Sequence, residues 1–323
     1  MLKRAPLFIF IFLLPLFSVA QPYPEQNGNT LLIANTTVKK SRVEKRHEQD
    51  ELLERIKQLY TPEGEYNASS KKGLYKLAGF FTRLRLYPLA MKCFSKTFER
   101  DSLTDDELPF GNNDEKAVLN KVMLTGNPKT LLKTKPFRTD SLLEVFADGK
   151  QAKAYAMLIH VKQPVRGKPK IYKFTYTGHT YITLIKFNID SSYSSASFGF
   201  GPKKDKILSA TPLRQKSLAG LRDDSSYPWD ELVGKFISKR KFDKILELAG
   251  QYNGSAYHLS RNNCTDFGIK AANLAGITID ETWGKWPFGK GNNPAITGQS
   301  ILSGKLSNAD TGNLSDLFID VVN

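Results

Sequence analysis

The chain has 323 residues, with 47 Lys and Arg against 32 Asp and Glu, a formal net charge of +15 and only two cysteines. Two cysteines exclude an unaided four-ligand zinc site, and no His/Cys cluster has metal-ligand spacing, so neither metal nor cofactor is expected. The basic surplus suits an anionic partner such as an envelope polymer or a lipid surface, or solubility alone; the cations are scattered rather than set among aromatics, so specific nucleic-acid binding is not expected.

Residues 1–20 read as a secretory signal peptide: basic Lys3 and Arg4, an apolar run Leu7 to Phe17, and Ser18-Val19-Ala20 as the cleavage site. Their removal takes two positive charges from the +15 and leaves +13. The mature protein is then exported, periplasmic or extracellular, with no transmembrane span; an uncleaved anchor is the alternative. A flexible leader follows over 21–42. Residues 43–148 read as mainly helical. Leu52, Leu53, Ile56 and Leu59 give one amphipathic helix between Val43 and Tyr60. Leu74, Leu77, Ala78, Phe81 and Leu84 give a second from Lys72 to about Leu86; Tyr87-Pro88 breaks it, and a third runs from Leu89 to Phe98. The pair resembles one tetratricopeptide-like hairpin, which suggests helical packing or a docking surface.

From Ala152 the texture changes to strands. Tyr155 to Val161 is an apolar run, Ile171 to Tyr176 alternates, and His179 to Lys186 alternates with His179, Tyr181, Thr183 and Ile185 on one face. Tyr193 to Phe200 returns as an antiparallel partner. Lys203 to Pro228 reads as a long basic loop. Trp229 to Phe236 is strand or helix, Lys241 to Tyr252 is helix, and the tail over 304–323 is polar and loosely held.

One stretch carries chemistry: Tyr257-His258-Leu259-Ser260-Arg261-Asn262-Asn263-Cys264-Thr265-Asp266-Phe267-Gly268. The asparagine pair is a turn signal, and the apolar run after Cys264 reads as a helix. Cys264 therefore falls at a helix N-terminus, where free N–H groups and the dipole favour a thiolate. His179, opening a strand after Gly178, is the candidate base. Ser197, on the returning strand, is the first choice for the group that orients it. Asp266 reads as a first-turn acid, His160 as core, and His258 and His47 as structural or solvated. Asn263, Thr265, Trp286 and Asn293 are the candidates to line the cleft or hold an oxyanion. A Cys93–Cys264 disulfide is the structural alternative for both cysteines.

Gly178-His179-Thr180-Tyr181-Ile182-Thr183-Leu184, Ser197-Phe198-Gly199-Phe200-Gly201-Pro202, Asp223-Asp224-Ser225 with Trp229-Asp230, Asn262-Asn263-Cys264-Thr265-Asp266-Phe267, and Gly291-Asn292-Asn293-Pro294 with Gly298-Gln299-Ser300 resemble the NlpC/P60-like superfamily of papain-like thiol enzymes. The order, His before Cys, resembles its circularly permuted branch, which includes lecithin–retinol acyltransferase-like proteins. The resemblance implies an α+β fold over 149–303, with the cysteine helix packed on an antiparallel sheet. It further implies Cys264 as nucleophile, His179 as base and a third polar residue on the strand after the histidine, where this sequence offers only serines, apart from Asp190 in the turn. The function so implied is a cysteine peptidase or amidase, with a peptide or peptidoglycan stem peptide as substrate. The alternatives are a catalytically silent envelope-binding protein and a lipid or thioester acyltransferase.

Overall fold

A computed structural model describes residues 71–98, 142–174, 176–202, 214–286 and 289–322. The expected signal peptide, leader and first amphipathic helix lie outside these residues. The fold is α+β: a seven-stranded antiparallel sheet carries helices on both faces.

The helical hairpin comes first. Helix α1 (Lys71–Arg83) buries Leu74, Leu77, Ala78 and Phe81, one stripe at helical spacing. Arg85, at φ 61°, turns the chain, and α2 (Tyr87–Ser95) starts with Pro88 in its first turn, where a missing N–H costs nothing. The proline thus opens a helix rather than merely ending one. A short α3 (Leu142–Phe146) precedes the sheet.

Strands β1 (Ala152–Lys162), β2 (His179–Asn188), β3 (Tyr193–Pro202) and β4 (Lys216–Asp223) form a meander. Next come β5 (Glu231–Ile237), helix α4 (Lys239–Tyr252), β6 (Ala256–His258) and helix α5 (Cys264–Ala275). After these lie β7 (Ile277–Ile279), a hairpin of β8 (Trp283–Trp286) and β9 (Gly289–Asn292), and helix α6 (Pro294–Leu302). The chain closes with β10 (Leu306–Asn308) and β11 (Phe318–Val321). In the main sheet the order is β11-β5-β1-β2-β3-β4-β6.

Period-two alternation sorts the strand residues into two cores. Met157, Ile159, Ile182, Leu184, Phe198 and Phe200 pack with α4 and α5. Leu158, Tyr181, Ile185, Phe187 and Leu232 pack with α1 and α2 on the opposite face. Every residue of β2 is buried for this reason. The hairpin expected as part of a helical N-terminal region is therefore the second cover of the sheet, and Cys93 is fully buried in that core.

Three expectations change. Ile171 to Phe174 forms no strand: Lys173 and Tyr176 exchange backbone hydrogen bonds, and Phe174 lies at φ 55°. Part of the expected 203–228 loop is β4, whose half-exposed surface hides its alternation. The expected loose tail is built in: β10 pairs with β7, and β11 pairs with β5 through Phe318↔Gly234. An edge strand with only four residues gives too short a pattern to stand out from polar sequence.

Near that edge, Glu231 is 1% exposed, and its Oε2 has no hydrogen-bond partner among the described residues. Burial first, and then the Asp230 charge, raise its pKa to about 8, against the opposing pull of Lys162 and Arg166. The folded state thus holds a proton that the unfolded state loses at lower pH, so stability falls as pH rises through this window. Glu231→Gln is expected to raise the melting temperature clearly at about pH 8 and hardly at about pH 4.5, as read by thermal unfolding across that range. An increment independent of pH would contradict this account.

Candidate active site

The site begins with the cap of α5. The Asn263 side chain accepts from Thr265 N (2.7 Å) and Asp266 N (3.1 Å), and Asp266 Oδ2 accepts from Asn263 N (2.8 Å), forming a capping box. Asp266 is the first-turn acid the sequence implies. Gly276, at φ 85°, ends the helix in the left-handed region that favours glycine. The helix also sits unusually close to β2. A Cβ at Gly268 would lie 2.5 Å from Thr180 Cγ2, so only glycine permits this approach. Cys264 is one turn N-terminal to Gly268, on the same side, which brings its thiol to the start of β2.

His179 is the first residue of β2. Gly178 before it has φ +76°, and a Cβ there would meet Lys162 O at 2.3 Å. His179 Nε2 donates to Asp224 Oδ2 at 2.7 Å, and Arg222 Nε donates to Asp224 Oδ1 at 3.0 Å. With Nε2 so engaged, Nδ1 is the nitrogen left for Cys264. Gly199 on β3 makes room: a Cβ there would stand 2.5 Å from Asp224 Oδ2 and 2.9 Å from His179 Nε2. Asp224 is held in turn by its own N–H, which donates to Ser197 O at 2.9 Å.

Cys264 is 5% exposed and His179 4%, so the pair is almost dry. Burial pushes the Cys264 thiol up. The hydrogen bond and charge of His179 outweigh this with help from the Thr180 N–H and the Tyr257 hydroxyl, and the net pKa is lowered. Tyr257 Oη stands 3.9 Å from Sγ. Burial pushes His179 down, but the Asp224 charge and hydrogen bond, with Cys264, lift it above the ordinary histidine value despite the opposing Arg222 charge. Both shifts run toward the charged forms, thiolate and imidazolium.

Of the sequence candidates, Cys264 and His179 come together. Ser197 does not orient the histidine: its hydroxyl bonds Thr183 Oγ1 at 2.7 Å, and Thr183 bonds His160 Nε2 at 2.8 Å. That separate buried row includes His160, which the apolar strand places in the core. The third group is Asp224, one residue past β4; the sequence places it in a quoted stretch but gives it no role, because β4 itself reads as loop. The adjacent acids Asp223-Asp224 after the alternating Ser217 to Leu221 were the available signal. The four expected cleft residues are buried supports. Asn263 Nδ2 donates to Leu259 O and Asn292 O, each at 2.8 Å, and Asn293 caps α6 through Ile296 N at 3.0 Å. Thr265 faces Thr180 Oγ1 at 3.2 Å, and Trp286 belongs to the core. Arg222 carries no signal in the sequence, and Tyr257 and Gly199, though inside quoted stretches, carry no sign of these roles. Cys93 and Cys264 are not joined by a disulfide, so the structural alternative for the two cysteines does not hold in this structure. His258 is half-buried at the β6 edge, accepting from Ser260 N. Among the described residues no group of His, Cys, Asp and Glu could hold a metal ion.

Compared with known proteins, the chain matches no family model, no curated protein and no solved structure.

Asp224→Asn and Gly199→Ala are each expected to slow iodoacetamide alkylation of Cys264 about tenfold or more at about pH 6, because either change weakens the bond that keeps His179 charged. Ser197→Ala is expected to leave that rate near wild type. The measurement is made in Cys93→Ala protein, and equal slowing by all three variants would contradict the assignment of Asp224.

Proposed function

We propose that this chain is a cysteine-nucleophile hydrolase of the NlpC/P60-like, papain-like kind, in the circularly permuted order, acting outside the cytoplasm on amide bonds such as those of peptidoglycan stem peptides. The observation that carries the reading is the buried chain Cys264–His179–Asp224, with the thiol at a helix N-terminus and the imidazole bonded to a carboxylate. The element order supports the family part of the reading: histidine strand, acid-bearing turn, then cysteine helix.

In the mechanism, the Cys264 thiol proton passes to His179 Nδ1. The thiolate attacks the substrate carbonyl carbon, and the carbonyl π electrons move onto oxygen. The Cys264 N–H and the Tyr257 hydroxyl are the donors available to that oxyanion. His179 returns the proton to the leaving amine, the C–N bond breaks and a thioester forms. Water, deprotonated by His179, then attacks the thioester and releases the carboxylic acid and the thiol. Asp224 holds the imidazole in one tautomer and stabilises its charge throughout. The serines offered by the strand after the histidine were one ground for a catalytically silent binding protein, and a carboxylate in the third position removes that ground.

Incubation with purified peptidoglycan sacculi, followed by mass spectrometry of released fragments, is expected to show stem-peptide cleavage. Cys264→Ala should abolish it, and Asp224→Asn should lower its rate roughly a hundredfold or more. Release that persists in Cys264→Ala would overturn the thiol mechanism. Sacculus binding without cleavage would replace the hydrolase with a binding protein.

A further inference from the structure

The turn that leads into His179 has an uncommon composition. From Arg166 to Tyr176 the sequence is Arg-Gly-Lys-Pro-Lys-Ile-Tyr-Lys-Phe-Thr-Tyr, with four cations, three aromatics and no acid. Arg166, Lys168, Lys170, Tyr172, Lys173, Phe174 and Tyr176 are all exposed. No salt bridge joins these four cations to an acid among the described residues. Phe174, at the tip, is 89% exposed and sits at φ 55°, a conformation unfavourable for a bulky residue. Water gives such a side chain no reason to stand there.

The turn is nonetheless firmly mounted. Ile171 packs against the main core. Lys173 N donates to Tyr176 O at 2.8 Å, and Tyr176 N to Lys173 O at 3.0 Å. The Tyr176 and Tyr227 hydroxyls meet at 3.2 Å, and the Tyr227 ring lies 4.8 Å from that of His179. Through Tyr227 the base of the turn therefore reaches the histidine of the cysteine site.

We propose that this turn is an interfacial anchor that docks the protein on an anionic lipid bilayer, with Phe174 entering the headgroup–acyl boundary and Lys168, Lys170 and Lys173 meeting the lipid phosphates. A convex tip with one protruding apolar ring can enter a bilayer, whereas it offers no groove to enclose a polymer chain. Tyrosines below the ring suit the headgroup level, and lysines keep their ammonium groups in the polar layer. Bound in this way, the protein holds the Cys264 site next to the membrane surface. The inference does not depend on thiol chemistry, and Cys264→Ala protein is expected to bind in the same way.

The test is co-sedimentation of the chain lacking residues 1–20 with vesicles of phosphatidylcholine alone and of phosphatidylcholine mixed with phosphatidylglycerol. Binding is expected only to the mixed vesicles and is expected to fall as salt is raised. Phe174→Ser should weaken it about tenfold, and Lys170→Ser with Lys173→Ser by about as much again, from lost apolar burial and lost attraction to anionic lipid. Circular dichroism and Cys264 alkylation should be unchanged in these variants, which confirms that they fold. Equal binding to both vesicle types, full binding by the triple variant, or capture by a soluble anionic polymer or nucleic acid without vesicle binding would each overturn the proposal.

Discussion

The contact between α5 and β2 governs much of this molecule. Gly268 lets the helix settle onto Thr180 at a distance that any side chain would prevent. One helical turn earlier, the same approach carries Cys264 to the first residue of β2, which is His179. Neither residue could be placed by its own loop, because a loop cannot fix a thiol and an imidazole to a fraction of an ångström. The asparagine clamp has the same purpose: Asn263 and Asn292 tie the cysteine turn to the β9 segment, and Gly291 approaches so closely that a Cβ would lie 2.0 Å from Ser260 O.

Covering the sheet on both faces has an electrostatic consequence. With α1 and α2 on one side and α4 and α5 on the other, the end of β2 is shielded from water. A lone imidazolium there would be expelled or neutralised. The chain Arg222–Asp224–His179–Cys264 alternates in sign, so each charge is paired with the next. The outer end, Arg222, lies over the Tyr227 ring at 5.3 Å and remains partly solvated, which relieves the cost of burying the rest.

How much of this could be read in the sequence depended on how local the cause was. Cys264 at a helix start was legible because a turn signal, a cap and an apolar run stand side by side. His179 was legible because Gly178 and a strict alternation follow one another. Asp224 was not, since its partner is 45 residues away and the strand that delivers it is half exposed. The asparagines stand out in the sequence but their task does not, because hydrogen bonds from a side chain to distant backbone leave no periodic trace. The C-terminal strand β11 is not legible for another reason: Phe318 to Val321 is only four residues, too short for a pattern, and Asp320 is held by Arg83 from a helix far away in the sequence.

The central claim is that Cys264 and His179 form a thiolate–imidazolium pair sustained by Asp224. Ultraviolet absorbance of the thiolate against pH, in Cys93→Ala protein, tests it most directly. The account predicts a thiolate signal already present well below the ordinary thiol pKa of about 8.5, and lost from that range in Asp224→Asn. A single titration at or above about 8.5, unchanged by Asp224→Asn, would contradict it.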